Sequence, residues 1–414
     1  MGTKGYRKPE LLAPAGNLEK LQFAVRYGAD AVYFGGEAYG LRAFADNFTP
    51  AEMSEGINFA HARGVKAYAT VNIFARNADI SGLPAYLERL EAAGVDGIIL
   101  SDPGIFSLVR RVLPTMDIHI STQANTTNWA AVRFWAELGA KRVILAREMS
   151  LADIAETRQK TEIELEAFVH GAMCLSYSGR CYLSHYLTGR DANQGYCAQA
   201  CRWKYSLVEE KRPDLHFPVA EDERGAYILN AKDLCMIEHI PELAAAGLDC
   251  LKIEGRMKSV NYVATVTRVY RQAIDAYWAN PDAYRFDPVW REELHKASHR
   301  EFSTGFYFGP ISDGQVTDST AYVREYDFVG VVREYRSDPK IAVVEQRNKL
   351  SIGDTVEFFG PATTPFQQTI TMMRDEDGAA LTAARHPQMT VLLPVIRPVR
   401  PFDLLRRAKT GAVE

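Results

Sequence analysis

Eight short apolar segments recur along the first 255 residues, each ending in polar residues and followed by a stretch of helical period. They read ELLAPAG, ADAVYFGG, VKAYATVN, DGIILSD, IHISTQAN, KRVILARE, ELEAFVHG and DCLKIEG. Near-continuous apolar strands alternating with helices mark a parallel sheet covered on both faces. Several follow a helix exit of the YG or AG kind, as in RYGADAVYFGG, AAGVDGIIL, ELGAKRVILA and AAGLDCLKI. Glycine there takes the left-handed conformation that ends a helix and launches the next strand. Eight such units predict an α/β fold, a (β/α)8 TIM-like barrel. An open doubly wound sheet is the competing architecture, but no G-x-G-x-x-G follows any of the strands.

In such a barrel the chemistry sits at the C-terminal ends of the strands. Those ends carry Asn72, Ser101 and Asp102, Gln123 and Asn125, Arg147 and Glu148, His170, and then Lys252, Glu254 and Arg256. Taken singly, a residue such as Asn72 or Ser101 caps a loop. Together they describe a polar mouth for a small, charged, oxygen-rich ligand. Arg147 and Arg256 suit a carboxylate or phosphate, which guanidinium grips through paired hydrogen bonds. Glu148 and Glu254 are general acid or base candidates, or ion-pair partners of those arginines. The catalytic candidates are therefore Arg147, Glu148, His170, Lys252, Glu254 and Arg256. The substrate-binding candidates are Asn72, Asp102, Gln123 and Asn125, with Arg300 from the loop HREFSTGFYFG, which either caps the core or forms a lid.

Four of the chain's six cysteines fall in HGAMCLSYSGRCYLSHYLTGRDANQGYCAQACRW, spaced C-x6-C-x15-C-x3-C. The segment begins where the seventh strand ends, so it overhangs the mouth. The opening MGTKGYRKPELLAPAG lacks the charged-then-apolar order of a signal peptide, and no apolar run approaches the roughly 18 residues of a membrane span. A cytoplasmic location without membrane contact is expected, where structural disulfides are uncommon and clustered cysteines serve metals or redox chemistry. Two close pairs, as in a zinc ribbon, are absent, and His170 and His185 lack finger spacing. Four unevenly spread thiolates suit a [4Fe–4S] cluster, and zinc stays open on spacing alone. Cys235, on a stretch of helical period, and Cys250, on the eighth strand, read as small buried apolar residues.

Net charge is −4, so a nucleic-acid partner has to be met by a local basic patch. Arg180, Arg190, Arg202, Lys204, Lys211 and Arg212 accompany the cysteines, and Arg397, Arg400, Arg406, Arg407 and Lys409 crowd the C-terminus. Near Tyr322 the pattern turns to short alternating strands: FVGVVREY, KIAVVEQRN, DTVEFFG, QTITMMRD and MTVLLPV. The expected organisation is a barrel domain over 1–320, with a cysteine module at 170–204 and a helical extension at 256–310. A small C-terminal all-β barrel follows over 321–414, with Arg385, His386, Arg397 and Arg400 placed for RNA contact. No G-x-x-x-x-G-K-[ST] loop is present, so nucleotide hydrolysis is not expected.

EAFVHGAMCLSYSGRCYLS resembles the signature of peptidase family U32, the collagenase-like group. The likeness extends through STQANTTNWAAVRFW, VILAREMS, LKIEGRMKSVNYVATVTRVYRQAIDAY, HREFSTGFYFG, YDFVGVV and GDTVEFFGP, covering essentially the whole chain. It is strongest toward the tRNA hydroxylation protein P branch, in particular its Bacillus-type second subunit. That resemblance implies oxygen-independent formation of 5-hydroxyuridine at the tRNA wobble position, with prephenate as co-substrate. It implies a [4Fe–4S] cluster on Cys174, Cys181, Cys197 and Cys201, with Cys235 competing for the last place. The implied partners are the tRNA anticodon loop and a paralogous subunit. The family name points instead to a metal-dependent peptidase, and a non-catalytic RNA-binding subunit with a structural cluster is the third reading.

Overall fold

Hydrogen bonds close the eight expected strands into a ring. They are β1 (Glu10–Pro14), β2 (Ala31–Phe34), β3 (Lys66–Thr70), β4 (Gly97–Leu100), β5 (Ile118–Ile120), β6 (Arg142–Ile144), β7 (Glu164–Ala172) and β8 (Cys250–Ile253). Each pairs in parallel with the next in chain order, and β8 returns to β1 through Leu11↔Leu251. This computed structural model describes residues 7–41, 47–174, 176, 181, 183–202, 207–209, 212–217, 220–222, 225–227, 232–309 and 323–409.

The outer layer contains α1 (Leu18–Arg26), α2 (Pro50–His61), α3 (Leu83–Ala92), α4 (Pro103–Val112), α5 (Trp129–Glu137), α6 (Leu151–Lys160), α7 (Ile240–Ala245) and α8 (Val260–Ala279). Side-chain caps start most of them: Asn17, Thr49, Asp102, Asn128, Ser150 and Ser259 each accept a backbone N–H from the first turn. Such a cap satisfies a donor that the helix itself leaves unpaired. The expected helix exits are glycines with positive φ, for example +85° at Gly94 and +90° at Gly139.

Between β7 and β8 the chain leaves the barrel and builds the cysteine segment. It comes back through a short strand, Asp233–Cys235, antiparallel to the end of β7 with Cys235 opposite His170. The helical period around Cys235 is thus overridden by sheet pairing. Phe302–Ser303 joins the outer edge of that strand, so HREFSTGFYFG is anchored in the sheet. Tyr307 there donates a hydrogen bond of 2.6 Å to the Phe168 carbonyl.

The C-terminal strands are β9 (Tyr326–Arg336), β10 (Ile341–Gln346), β11 (Thr355–Phe359), β12 (Phe366–Thr369), β13 (Thr390–Pro394) and β14 (Leu404–Ala408). They form one antiparallel half-barrel in the order β12-β11-β14-β9-β10-β13. Two of its strands differ from the sequence reading. The strand expected over QTITMMRD lies earlier, at Phe366–Thr369, and β14 occupies a segment read as a basic patch. β9, β11 and β14 pack on α1 and α8 through Phe23, Tyr27, Val260, Ala264, Val331, Phe359 and Leu404. Among the described residues no helix is long and apolar enough to cross a membrane.

Candidate active site at the barrel mouth

The barrel interior carries a chain of charge instead of a purely apolar filling. Arg142 bonds Glu10 at 2.7 Å and Glu166 at 3.2 Å, and the other oxygen of Glu166 holds the Lys252 ammonium at 2.7 Å. Glu166 is fully buried, and Lys252 and Arg142 nearly so. Buried charges of this kind persist only when paired and hydrogen-bonded. Glu166 therefore fixes a cation at the inner end of the mouth, where the ammonium also lies 4.5 Å from the Tyr33 ring centroid. Lower in the barrel His119 is wholly enclosed, and burial, with Arg142 beside it, drives its pKa well below the ordinary value.

Arg256 comes from the turn after β8. Its guanidinium donates to Thr70 Oγ1 at 3.1 Å and to Asn47 Oδ1 at 2.8 Å, tying the end of β8 to the ends of β2 and β3. Only glycine leaves room for it at the end of β2, since a Cβ on Gly35 would lie 2.5 Å from Arg256 Nη2. Arg147 follows β6 and lays its guanidinium 3.9 Å over the Phe168 ring centroid. Glu148 shares its turn. Asn72 donates to Gln123 Oε1 at 3.4 Å, and Ser121 donates to the same oxygen. Asn125 adopts φ +53°, and its Oδ1 is buried without a hydrogen-bond partner. The structure thus brings Asn72, Gln123, Arg147, Lys252 and Arg256 to the C-terminal face.

Three other candidates sit differently. His170 is packed among Tyr262, Tyr270 and Phe302, turned toward α8. Burial, with Lys258 and His299 nearby, pulls its pKa down to about 3, so it is neutral. Asp102 accepts the Ile105 N–H at 2.9 Å as the cap of α4. Arg300 is buried, with its guanidinium 3.7 Å from Asp233 Oδ1, and so underlies the sheet edge. Glu254 donates its amide to the His170 carbonyl at 2.8 Å, and its own carbonyl accepts the Tyr262 hydroxyl at 3.0 Å.

The cysteine segment is folded by its polar residues. Asn193 brackets Cys181, accepting its N–H at 3.4 Å and donating to its carbonyl at 3.1 Å. Ser184 Oγ accepts the Ala198 N–H at 2.9 Å, drawing the turn beside Cys197 onto the helix Leu183–Thr188. The Gln199 amide points at Cys197 Sγ, 3.4 Å away, and Cys201 lies in the following 3-10 turn, Ala200–Arg202. The turn at 191–194 docks on the loop after β3: Phe74 N–H donates to Asn193 O at 3.0 Å, and Arg76 pairs with Asp191 at 2.7 Å. Between this loop, the end of β2 and the cysteine segment lies a cavity of about 430 Å³, whose walls include Gly36, Tyr39, Asn47, Ile73, Gln194 and Tyr196.

None of the four cysteines of the segment is in a disulfide. Crowding pushes the Cys174 thiol up; the Ser176 amide and Arg147 pull it down, and Cys181 and Cys197 push it up again. Soft thiolate donors beside a backbone N–H and a guanidinium are the donor chemistry of an iron–sulfur cluster. Among the described residues no three His, Cys, Asp or Glu side chains are gathered so as to hold a metal ion. Cys235 lies opposite His170 at the end of β7, its thiol enclosed beside Tyr270 and pushed up to about 11 by burial. Arg180, Lys204 and Lys211 lie outside the described residues.

Comparison with known proteins was made on this footing. The chain is 48% identical over 404 residues to tRNA hydroxylation protein P1 of Bacillus subtilis, covering 97% of this chain and 96% of that one. It is 33% identical over 308 residues to tRNA hydroxylation protein P2 of the same organism, covering 73% of this chain and 98% of that one. Of these two paralogues the greater identity is with P1 and not with the second. A protein named collagenase, from Porphyromonas gingivalis, is 32% identical over 412 residues, covering 96% of this chain and 97% of that one. The profile of peptidase family U32 matches residues 16–316, and that of the peptidase family U32 C-terminal domain matches residues 324–406. The chain belongs to peptidase family U32.

Proposed function

We propose that this chain is a tRNA-modifying enzyme, or a necessary subunit of one, that hydroxylates C5 of the wobble uridine without molecular oxygen and with prephenate as co-substrate. The observation that carries the reading is that four cysteines, none in a disulfide, lie in the segment that follows β7 and docks on the loop after β3, beside a cationic barrel mouth. Cys174, Cys181, Cys197 and Cys201 would hold the [4Fe–4S] cluster, which when bound would supply one-electron chemistry or a Lewis-acidic iron. The chain's own groups bind and orient. Arg147 and Arg256 present guanidinium to the carboxylates of the co-substrate, and Lys252, held in place by Glu166, lies below them. Glu148 and Glu254 are the acid–base candidates. A wobble uridine is already unpaired, so drawing it into the mouth costs little unstacking. The two paralogues in Bacillus subtilis support a paired-subunit arrangement, and the cytoplasm is the compartment that fits such a substrate.

The test is anaerobic purification with iron and sulfide analysis, followed by nucleoside analysis of tRNA incubated with prephenate. The expected result is about four irons and four sulfides per chain, lost in Cys174→Ala together with 5-hydroxyuridine formation. A colourless protein with one zinc, or with no metal after anaerobic reconstitution, would sink the redox reading. The collagenase-named relative supports a second reading, a metal-dependent peptidase. It requires release of peptides from gelatin by the pure chain, abolished by a chelator.

A further inference from the structure

At the end of the C-terminal basic run three cations are neutralised from within, whereas no ion pair is seen among the described residues for Arg385, Arg397 or Arg400. Arg406 is fully buried between Glu293 and Glu357, Arg407 pairs with Asp327 and Asp354, and Lys409 faces Asp327 at 3.7 Å. The rim of the mouth presents the opposite picture. Tyr186 is 74% exposed, Tyr196 45% and Phe74 37%. One exposed aromatic ring needs no explanation, but several on one rim do.

Phe74 and Tyr196 belong to one hydrogen-bonded patch, and Tyr186 lies on the adjoining helix. Phe74 is tied to Asn193, Tyr196 N–H donates to Asp191 O at 3.0 Å, and Arg190 Nε donates to Tyr196 O at 3.2 Å. The Asp191 carboxylate holds Arg76, whose side chain is 68% exposed. Tyr186 stands on the helix that leads into Arg190. Tyr196 forms part of the wall of the 430 Å³ cavity, and so does Asn47, whose side chain accepts a hydrogen bond from Arg256. Aromatic rings interleaved with arginines above a cavity of small-ligand size fit unpaired nucleotides: bases stack on rings whatever their sequence, and guanidinium meets the phosphates.

We infer that Phe74, Tyr186 and Tyr196, with Arg76 and Arg190, form the platform on which unpaired bases of an RNA loop stack while the target base enters the cavity. This inference rests on the tRNA reading above. It moves the RNA contact from the C-terminal half-barrel to the cysteine-segment rim.

The test is fluorescence anisotropy with a labelled anticodon stem–loop, and with an RNA duplex of equal length, on full chains matched in iron content and unfolding midpoint. Tyr186→Ala and Tyr196→Ala should each weaken stem–loop binding about tenfold, while Tyr186→Phe and Tyr196→Phe, which keep the ring, stay within about twofold. Duplex binding should not change. If both alanine variants bind the stem–loop like wild type, the platform is refuted while the tRNA reading stands. The platform is equally refuted if Arg385→Ala with Arg397→Ala carries the loss instead. Absence of any tRNA binding by the wild-type chain would defeat the tRNA reading itself. Should Tyr196→Ala fail to fold, Tyr186→Ala carries the test alone, because its ring makes the least contact with the rest of the chain.

Discussion

A single missing methyl group shows how closely the mouth is fitted. With Gly35 at the end of β2, the Arg256 guanidinium lies almost on the backbone, reaching Thr70 and Asn47 together. Gly35→Ala has to push that guanidinium off at least one partner. Hydroxylation should then fall about 10²-fold, the loss typical of misplacing one electrostatic group. Steady-state assay at an unchanged iron content checks this, and wild-type turnover would show that the orientation of Arg256 is immaterial. His170 teaches the converse. Its folded pKa of about 3 lies below the ordinary 6.5, so the unfolded chain takes the proton first. Its contribution to stability is complete above pH 6.5 and shrinks as pH falls toward 3. In urea unfolding between pH 7 and 5, wild type should lose about 2 kcal/mol more than His170→Phe. Equal losses would mean that His170 is already charged in the fold. Its orientation was hidden in the sequence because the register of β7 on β8 shifts where Phe168 pairs with Lys252 and His170 with Ile253. A bulge re-aims side chains, and apolar patterning alone does not reveal one.

At the scale of elements, the strands and helices were legible because each carries its own start and stop. Gly94 and Gly139 sit where the helix exits were read, and the barrel strands follow them. What patterning could not separate was a strand-end residue that serves the ligand from one that serves the next helix. Asp102 is the clearest case, since an acidic residue before Pro103 fits both roles, and the structure gives its carboxylate to the first turn of α4. Asp102→Ala should therefore cost about 1 kcal/mol of unfolding free energy, and Asp102→Ser, which caps equally well, a few tenths at most. Thermal unfolding of the two variants decides it: an Asp102→Ser loss as large as that of alanine would assign the carboxylate some other duty. β14 escaped notice for a related reason. LLRRA alternates poorly and looks like a solvated basic run, yet its first two leucines and Arg406 are all buried.

Arg406 is where the two halves of the molecule are joined by charge. It leaves β14, crosses to Glu293 on the helix Pro288–His295 at 2.8 Å, and meets Glu357 of β11, while Lys296 reaches Glu357 at 3.1 Å. Around it lie the apolar contacts of Tyr27, Phe359 and Leu404, and at the rim Arg333 pairs with Glu19 at 2.9 Å. Rim pairs of this kind contribute little, but the buried one is strongly one-sided. Truncating Arg406 leaves Glu293 and Glu357 facing each other in a nearly closed site, with Lys296 bridging them and Arg268 3.5 Å from Glu293. Arg406→Ala should lower the unfolding free energy by about 3–5 kcal/mol. The effect also depends on pH with a definite sign. Burial pushes Glu293 up, but Arg406 and Lys296 outweigh it and hold its pKa below the ordinary 4.5. The stability this pairing adds is complete above pH 4.5 and is lost as pH falls through the lowered value, so wild type and Arg406→Ala should converge in acid. Calorimetry at neutral pH distinguishes a shared interface from two independent domains. A wild type that melts in one transition and an Arg406→Ala that melts in two would show that this buried pair makes the half-barrel and the TIM-like barrel unfold together. Two transitions in both proteins would confine Arg406 to local packing.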